Sequence, residues 1–178
     1  MTSAMPKIAV VAYPVLTQSD RAWIEAIRAT HDPQASLLPL HVTLVFPTSD
    51  GPSGAANEVA TVARAFSAVP FVLRWARPVR DINGPGGHVF LVPDEGFDGI
   101  AALHRALYSG GFEPTRLADV TFIPHITVGA KPDFGACETI ARNLSPLQRQ
   151  VRGRLETLDL IELHAGRVQT LQSWPLAA

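Results

Sequence analysis

Two short segments of the chain carry residues whose types and spacing could do chemistry. They read PLHVTLVFP, residues 39–47, and FIPHITVGA, residues 122–130. Apolar and polar residues alternate in both segments, which is typical of a β-strand with one buried face. Each segment also places a histidine two residues before a threonine. The two pairs are His41 with Thr43, and His125 with Thr127.

The spacing of two residues puts the histidine and the threonine of each pair on one face of their strand. Successive side chains alternate between the two faces, so residues i and i+2 point the same way, about 7 Å apart. Because imidazole has an unperturbed pKa near 6.5, one ring can be neutral while its neighbour is protonated near neutral pH. Such a pair can act as general base and general acid, with a bell-shaped pH–rate profile centred near neutrality. The threonine hydroxyls can donate hydrogen bonds to a phosphate oxygen as charge develops on it.

The same pattern also has a purely structural explanation. Threonine is common in strands, and a histidine in a core can be satisfied by two hydrogen bonds. Both histidines, however, follow a proline within two residues, and the two motifs occupy corresponding positions in the two halves of the chain. These shared features favour a paired functional site whose two faces line one cleft.

The other four histidines are expected to be structural. His31 lies in a THDP loop, His88 opens an apolar strand after GPGG, and His104 and His164 lie in amphipathic stretches. Neither His-x-Thr motif has a cysteine, an aspartate or a second histidine at metal-ligand spacing, so a zinc site is not expected. No P-loop and no dinucleotide-binding fingerprint occurs in the sequence, so no cofactor is expected either.

The elements that must position the two motifs can be read from periodicity and from turn residues. Strands are expected at 7–13, 39–47, 71–82, 88–93, 122–130, 151–163 and 166–176, and helices at 19–30, 55–69, 97–109 and 134–147. The strands at 71–82 and 88–93 form a hairpin across the glycine-rich NGPGG. The apolar residues of 151–163 are partly out of strand period. No linker divides the chain, and the second half roughly repeats the first.

Composition excludes several classes of protein. Of the 178 residues, 47% are hydrophobic and 17% are charged, which favours a folded globular chain. The 15 basic and 16 acidic residues leave the chain almost without net charge, so no overall electrostatic attraction to long nucleic-acid duplexes is expected. The single cysteine, Cys137, fits a reducing compartment, and the apolar run at 8–16 is too short to span a bilayer. A cytoplasmic protein without a membrane partner is therefore expected.

The motifs HVTL and HITV resemble those of the two-histidine (2H) phosphoesterase superfamily, which includes 2′-5′ RNA ligase-like proteins and cyclic nucleotide phosphodiesterases. The stretch IRATHDPQASLLPLHVTLVFP is similar to the helix, Asp-Pro loop and first motif strand of that family. The resemblance implies a single bilobal α+β domain over residues 1–178. Two antiparallel sheets with helices outside would enclose a central cleft with pseudo-two-fold symmetry.

The resemblance also implies roles for the four motif residues. His41 and His125 would be the catalytic acid and base, in that order, and Thr43 and Thr127 would bind phosphate without a metal. The expected reaction is hydrolysis of a 2′,3′-cyclic phosphate on a small nucleotide or an RNA terminus, which run backwards would be 2′-5′ RNA ligation. A monomer is expected. The alternative is a non-catalytic module that uses the same cleft to bind a nucleotide or an RNA end.

Overall fold

The computed structural model describes residues 6–178 and contains four helices and nine strands over that range. The strands are β1 Lys7–Ala12, β2 Val15–Leu16, β3 Val42–Thr48, β4 Val69–Arg80, β5 Gly87–Glu95, β6 Ile126–Lys131, β7 Val151–Leu155, β8 Thr157–His164 and β9 Arg167–Pro175. The helices are α1 Gln18–His31, α2 Ala55–Ala65, α3 Phe97–Leu107 and α4 Phe134–Leu144. A short 3₁₀ turn, Glu113–Thr115, follows α3.

The strands form two sheets in which all neighbouring strands are antiparallel. The four-stranded sheet has the order β3-β1-β8-β9, and the five-stranded sheet has the order β2-β7-β4-β5-β6. The expected α+β architecture with two antiparallel sheets is therefore confirmed. The sheets do not correspond to consecutive halves of the chain, because the four-stranded sheet combines β1 and β3 with the last two strands, and β2 belongs to the other sheet.

The segment 151–163, expected as one strand, is two strands that belong to different sheets. β7 pairs with β4 in the five-stranded sheet, and β8 pairs with β1 in the four-stranded sheet. Leu155 and Leu158 are both fully buried although they are three residues apart, a spacing that would put them on opposite faces of a continuous strand. The break at Glu156 resets the alternation as the chain crosses between the sheets, which explains why the apolar residues are out of period.

Three helices end earlier than expected: α3 ends two residues early, at Leu107, and α2 and α4 end three or more residues early, each for a local reason. Helix α2 ends at Ala65 because Val69 already pairs with Leu155 as the first residue of β4. Helix α4 ends at Leu144 because Ser145 precedes a proline, and the residue before proline is disfavoured in the helical conformation. The two-residue strand β2 is too short to have a recognisable pattern.

The helices cover the sheets and close a continuous apolar core. Helix α4 packs on β4, β5 and β6, α1 packs on β6, and α2 packs on β8 and β9. Helix α3 contacts β3 of one sheet together with β4 and β5 of the other. One cluster of buried side chains includes residues of both sheets, among them Val10, Leu44, Leu73, Leu91 and Val128. None of the helices in the described range has the length and hydrophobicity needed to cross a bilayer.

Candidate active site

The two His-x-Thr motifs lie on the edge strands β3 and β6 and line a single cleft. Each histidine immediately precedes its strand, and the threonine is the second residue within it. The alternate residues Val42 and Ile126 are buried in the core, as the alternation predicts. All four motif residues border a cleft of about 770 Å³ between the sheets: His41, Thr43, His125 and Thr127. The structure therefore brings together the four residues that the sequence analysis paired.

The two histidines are held by the same backbone contact. Nδ1 of His41 lies 2.8 Å from the carbonyl oxygen of Pro39, and Nδ1 of His125 lies 2.6 Å from that of Ile123. In both cases the acceptor is two residues before the histidine. Since a carbonyl oxygen only accepts, each Nδ1 carries the hydrogen, and the lone pair of the neutral ring is on Nε2. Each ring can therefore take up or release a proton at Nε2 while its orientation stays fixed.

A buried ion network on α1 holds the loop that leads to His41. The side chain of Arg28 is 1% exposed and donates to the carbonyl oxygen of Leu38 at 2.8 Å. Glu25 Oε1 accepts the backbone N–H of Leu40 at 3.0 Å. Arg28 also pairs with Asp32, which borders the cleft, at 3.0 Å. The network thus fixes both neighbours of the proline whose carbonyl orients His41.

An aromatic side chain of the neighbouring strand supports His125. The His125 ring stacks on Phe90 of β5, with centroids 3.5 Å apart and planes 13° apart. Phe90 pairs across the sheet with Thr127, so the stacking partner and the second motif share one face. Phe90 also stacks with His88, with centroids 5.8 Å apart, and Nε2 of His88 lies 2.9 Å from Asp81 Oδ1.

The surroundings of the two catalytic candidates act differently on their pKa values. The pKa of His125 is lowered to about 4: burial is the main cause, the Ile123 carbonyl opposes it, and positive charge on His41 or His88 adds to the lowering. Burial also lowers the pKa of His41, and the Pro39 carbonyl opposes this shift. Among the charges near His41, Arg28 has the largest effect and favours the neutral ring, whereas the carboxylates of Asp32 and Glu25 favour the protonated ring.

Two consequences follow for the ionisation of the unliganded cleft. Both rings are mainly neutral at neutral pH, because both pKa values lie below 6.5. When the pair holds one proton, the large downward shift of the His125 pKa, to about 4, favours His41 as its position. The electrostatics therefore distinguish the two motifs, which sequence symmetry could not do.

The walls of the cleft are mostly apolar. The four-stranded sheet contributes Ala9, Val11, Ile161 and Leu163, and the hairpin of β4 and β5 contributes Val79 and Phe90. Among the described residues that line the cleft, Arg80 is the single lysine or arginine, and its guanidinium lies 3.9 Å above the ring of Phe134. This composition suits a ligand with one anionic group and an apolar body.

The remaining histidines occupy three kinds of environment. His88, expected to be structural, borders the cleft, whereas His31 does not. His104 is buried at 7% exposure, and His164 contacts Glu162 near the turn between β8 and β9. His88 and Phe90 are two residues apart on one strand and therefore share a face. This spacing was the sequence signal that could have placed His88 at the cleft. Within residues 6–178, no three His, Cys, Asp or Glu side chains come together as a metal-binding group.

Comparison with known proteins identifies a family whose members are similar to this chain. The family model of the 2′-5′ RNA ligase superfamily matches residues 16–167. No curated protein matches the chain significantly in sequence.

Several solved structures share the fold at low sequence identity. LigT of E. coli, crystallised with 3′-AMP, is 18% identical, with a TM-score of 0.58 over 97% of this chain and 98% of that one. TT0787 of Thermus thermophilus is 19% identical, with a TM-score of 0.63 over 96% of this chain and 97% of that one. Usb1 of Kluyveromyces marxianus is 12% identical, with a TM-score of 0.57 over 99% and 100% of the two chains.

Proposed function

Because the chain belongs to the 2′-5′ RNA ligase superfamily of 2H phosphoesterases, we propose that it hydrolyses 2′,3′-cyclic phosphates of nucleotides or RNA ends without a metal. His41 and His125 exchange the protons, and Thr43 and Thr127 donate hydrogen bonds to the non-bridging phosphate oxygens. The family membership supports an enzyme of phosphoester chemistry. The substrate, the metal independence and the residue roles are the content of the proposal.

The reaction needs one base and one acid on opposite sides of the phosphorus. His125 takes a proton from water through Nε2 as the water oxygen attacks phosphorus in line with the departing ribose oxygen. His41 gives its Nε2 proton to that ribose oxygen as the P–O bond breaks. The product is an acyclic monoester with a free ribose hydroxyl. The proton taken by His125 returns to solvent, and His41 is protonated again, so the cycle balances.

The single observation that carries this proposal is the matched anchoring of the two rings. Both histidines donate Nδ1–H to a carbonyl two residues earlier, and both leave Nε2 for exchange at one cleft. Burial lowers both pKa values and favours the neutral rings, in which each Nε2 has a lone pair that can accept a proton. An anionic phosphate in the cleft raises both pKa values, so substrate brings a proton to His41.

Small nucleotides are the ligands that the comparisons favour. Structures of E. coli LigT are described with 3′-AMP, with ATP and with NADP+. The apolar walls beside the motifs supply surface for a nucleoside. We further infer one bilobal domain, because the apolar core includes residues of both sheets; residues 1–5 of the expected range lie outside the described part of the chain. The monomeric state and the cytoplasmic location stay predictions.

Turnover of cyclic nucleotides tests the proposed function directly. The purified protein is incubated with each 2′,3′-cyclic nucleotide, with and without excess EDTA, and the products are followed by phosphorus NMR. We expect ring-opened monoester at the same rate in both conditions. Binding of cyclic nucleotide without turnover would instead establish the non-catalytic alternative. Full loss with EDTA and recovery with zinc or manganese would contradict the metal-independent mechanism.

A further inference from the structure

His104 on α3 contacts the chain next to both His-x-Thr motifs. Its Nδ1 lies 2.8 Å from the carbonyl oxygen of Leu44, the residue that follows Thr43 in β3. Its ring stacks on Phe122, with centroids 3.7 Å apart and planes 3° apart. Phe122 precedes His125 by three residues. A single buried side chain therefore touches the first motif strand and the segment that leads to the second motif.

The contact with β3 replaces a missing neighbour strand. Among the described strands, β3 is an edge strand that pairs only with β1, so one side of its backbone has no partner there in the sheet. Helix α3 supplies the partners: His104 donates to the oxygen of Leu44, and the hydroxyl of Tyr108 accepts the N–H of Phe46 at 3.1 Å. Two side chains one helical turn apart thus satisfy two backbone groups two residues apart.

The contact with Phe122 anchors a segment that has no regular structure. Between the 3₁₀ turn, which ends at Thr115, and β6, which begins at Ile126, the chain forms neither helix nor strand. This segment includes Ile123, whose carbonyl oxygen orients His125. Loops without ladder hydrogen bonds are held mainly by side-chain packing, and Phe122, which stacks on His104, is the residue next to this carbonyl.

We propose that His104 is a positioning residue that fixes the two His-x-Thr motifs relative to each other. β3 and β6 belong to different sheets, so no ladder of backbone hydrogen bonds sets their separation. His104 joins them through a hydrogen bond on one side and a ring stack on the other. The consequence for catalysis rests on the proposed function, whereas the geometric coupling of the motifs does not.

The neutral form of His104 suits this role. Burial lowers its pKa, the Leu44 carbonyl opposes that shift, and the positive charges of Arg116 and Arg105 lower the pKa further. The neutral ring with its hydrogen on Nδ1 makes the bond to Leu44 and stacks on Phe122 without burying a charge.

Two substitutions separate the two contacts. His104→Asn keeps an N–H donor the same number of bonds from the backbone as Nδ1, but removes the ring. His104→Phe keeps a flat ring against Phe122, but leaves the Leu44 carbonyl without its donor. The readout is the pKa of His125, followed by NMR of the imidazole signals, with His164→Asn as the control because His164 lies on the surface near a turn.

The proposal makes a distinct prediction for each variant. In His104→Asn the segment before His125 loosens, its burial falls, and the pKa of His125 rises by about one unit. In His104→Phe and in the control the pKa of His125 stays within about 0.3 unit of its wild-type value. Phe122→Leu removes the same stack by changing Phe122 instead of His104, and it is expected to raise the pKa of His125 as His104→Asn does. It therefore tests the stack even if His104→Asn fails to fold.

Kinetics give the second readout. Both His104 variants are expected to lower kcat about tenfold with KM changed less than about twofold, as loss of positioning does. An unchanged pKa of His125 in both His104→Asn and Phe122→Leu would overturn the proposal, as would an equal rise in His104→Phe. If the wild-type protein turns over no cyclic phosphate, the proposed function fails, but the NMR measurement still decides whether His104 couples the motifs.

Discussion

The imidazole of His125 lies nearly parallel to the phenyl ring of Phe90, with the two centroids 3.5 Å apart. The two residues are on neighbouring strands, and Phe90 faces Thr127 across the ladder. This contact buries one side of the proposed base and contributes to the burial that lowers its pKa to about 4. The stack therefore connects the packing of the five-stranded sheet with the protonation of the cleft.

Replacing Phe90 by Leu should raise the pKa of His125 by about one unit, because an aliphatic side chain leaves more of the imidazole in water. The same change should lower kcat on the order of tenfold, because the ring loses its fixed plane. An NMR titration and steady-state kinetics check both effects. Phe71→Leu is the control, since Phe71 is also a phenylalanine but is buried in the core and does not line the cleft. A pKa of His125 that is the same in both variants would contradict this role of Phe90.

Arg28→Met should destabilise the fold far more than the loss of a surface ion pair. The change leaves the buried carboxylate of Asp32 without its cation and the Leu38 carbonyl without its donor, at a cost of about 3 kcal/mol. Arg154→Met removes a pair with Glu156 whose arginine is 58% exposed, and should cost less than about 1 kcal/mol. Urea unfolding followed by circular dichroism measures both. Equal midpoints for the two variants would show that the α1 network does not hold the His41 loop.

The pH dependence of kcat/KM should have its optimum on the acidic side of neutrality. The productive free enzyme needs neutral His125, whose pKa is about 4, and protonated His41, whose pKa lies below 6.5. Activity therefore rises as pH increases through about 4 and falls as pH increases through the pKa of His41. This optimum is more acidic than the one near neutrality expected from unperturbed imidazoles. A kcat/KM that stays flat from about pH 5 to about pH 9 would count against the pair.

Thr43→Val and Thr127→Val should each lower kcat/KM on the order of tenfold to a hundredfold, because valine keeps the shape of threonine without its hydroxyl donor. Thr61→Val is the control, since Thr61 lies on α2 and its hydroxyl donates to Asn57. Steady-state kinetics with a cyclic nucleotide provide the comparison. Wild-type kcat/KM in either cleft variant would remove that hydroxyl from the phosphate clamp.

The motif faces could be predicted from the sequence because they depend on local alternation alone. Residues i and i+2 of a strand share a face in any sheet, so His41 and Thr43 had to lie together, as did His125 and Thr127. The convergence of the two motifs was suggested by their corresponding positions in the two halves of the chain, and the resemblance to a family supported it. One feature of the sequence indicated that β7 and β8 belong to different sheets: the apolar residues around Glu156 do not keep the alternation of a single strand.

Other parts of the site depend on contacts that no local pattern carries. The stack of Phe90 on His125 follows from the register of β5 against β6, which the intervening helix and loop do not reveal. The burial of Arg28 was equally hidden, because Glu25, Arg28 and Asp32 have the i, i+3 and i, i+4 spacing of an exposed helical ion network. Their face is covered because the loop before His41 folds over it.

The most direct test of the central claim compares two substrates in two variants. His41→Ala and His125→Ala should each lose on the order of 10²–10⁴ in turnover of a 2′,3′-cyclic nucleotide, whereas the control His164→Ala should not. An aryl phosphodiester leaves as a stable phenolate and hardly needs an acid, so it should restore activity to His41→Ala much more than to His125→Ala. The reverse restoration would mean that the roles are exchanged. Near wild-type turnover in both variants, with the fold intact by circular dichroism, would contradict acid–base catalysis by the two histidines.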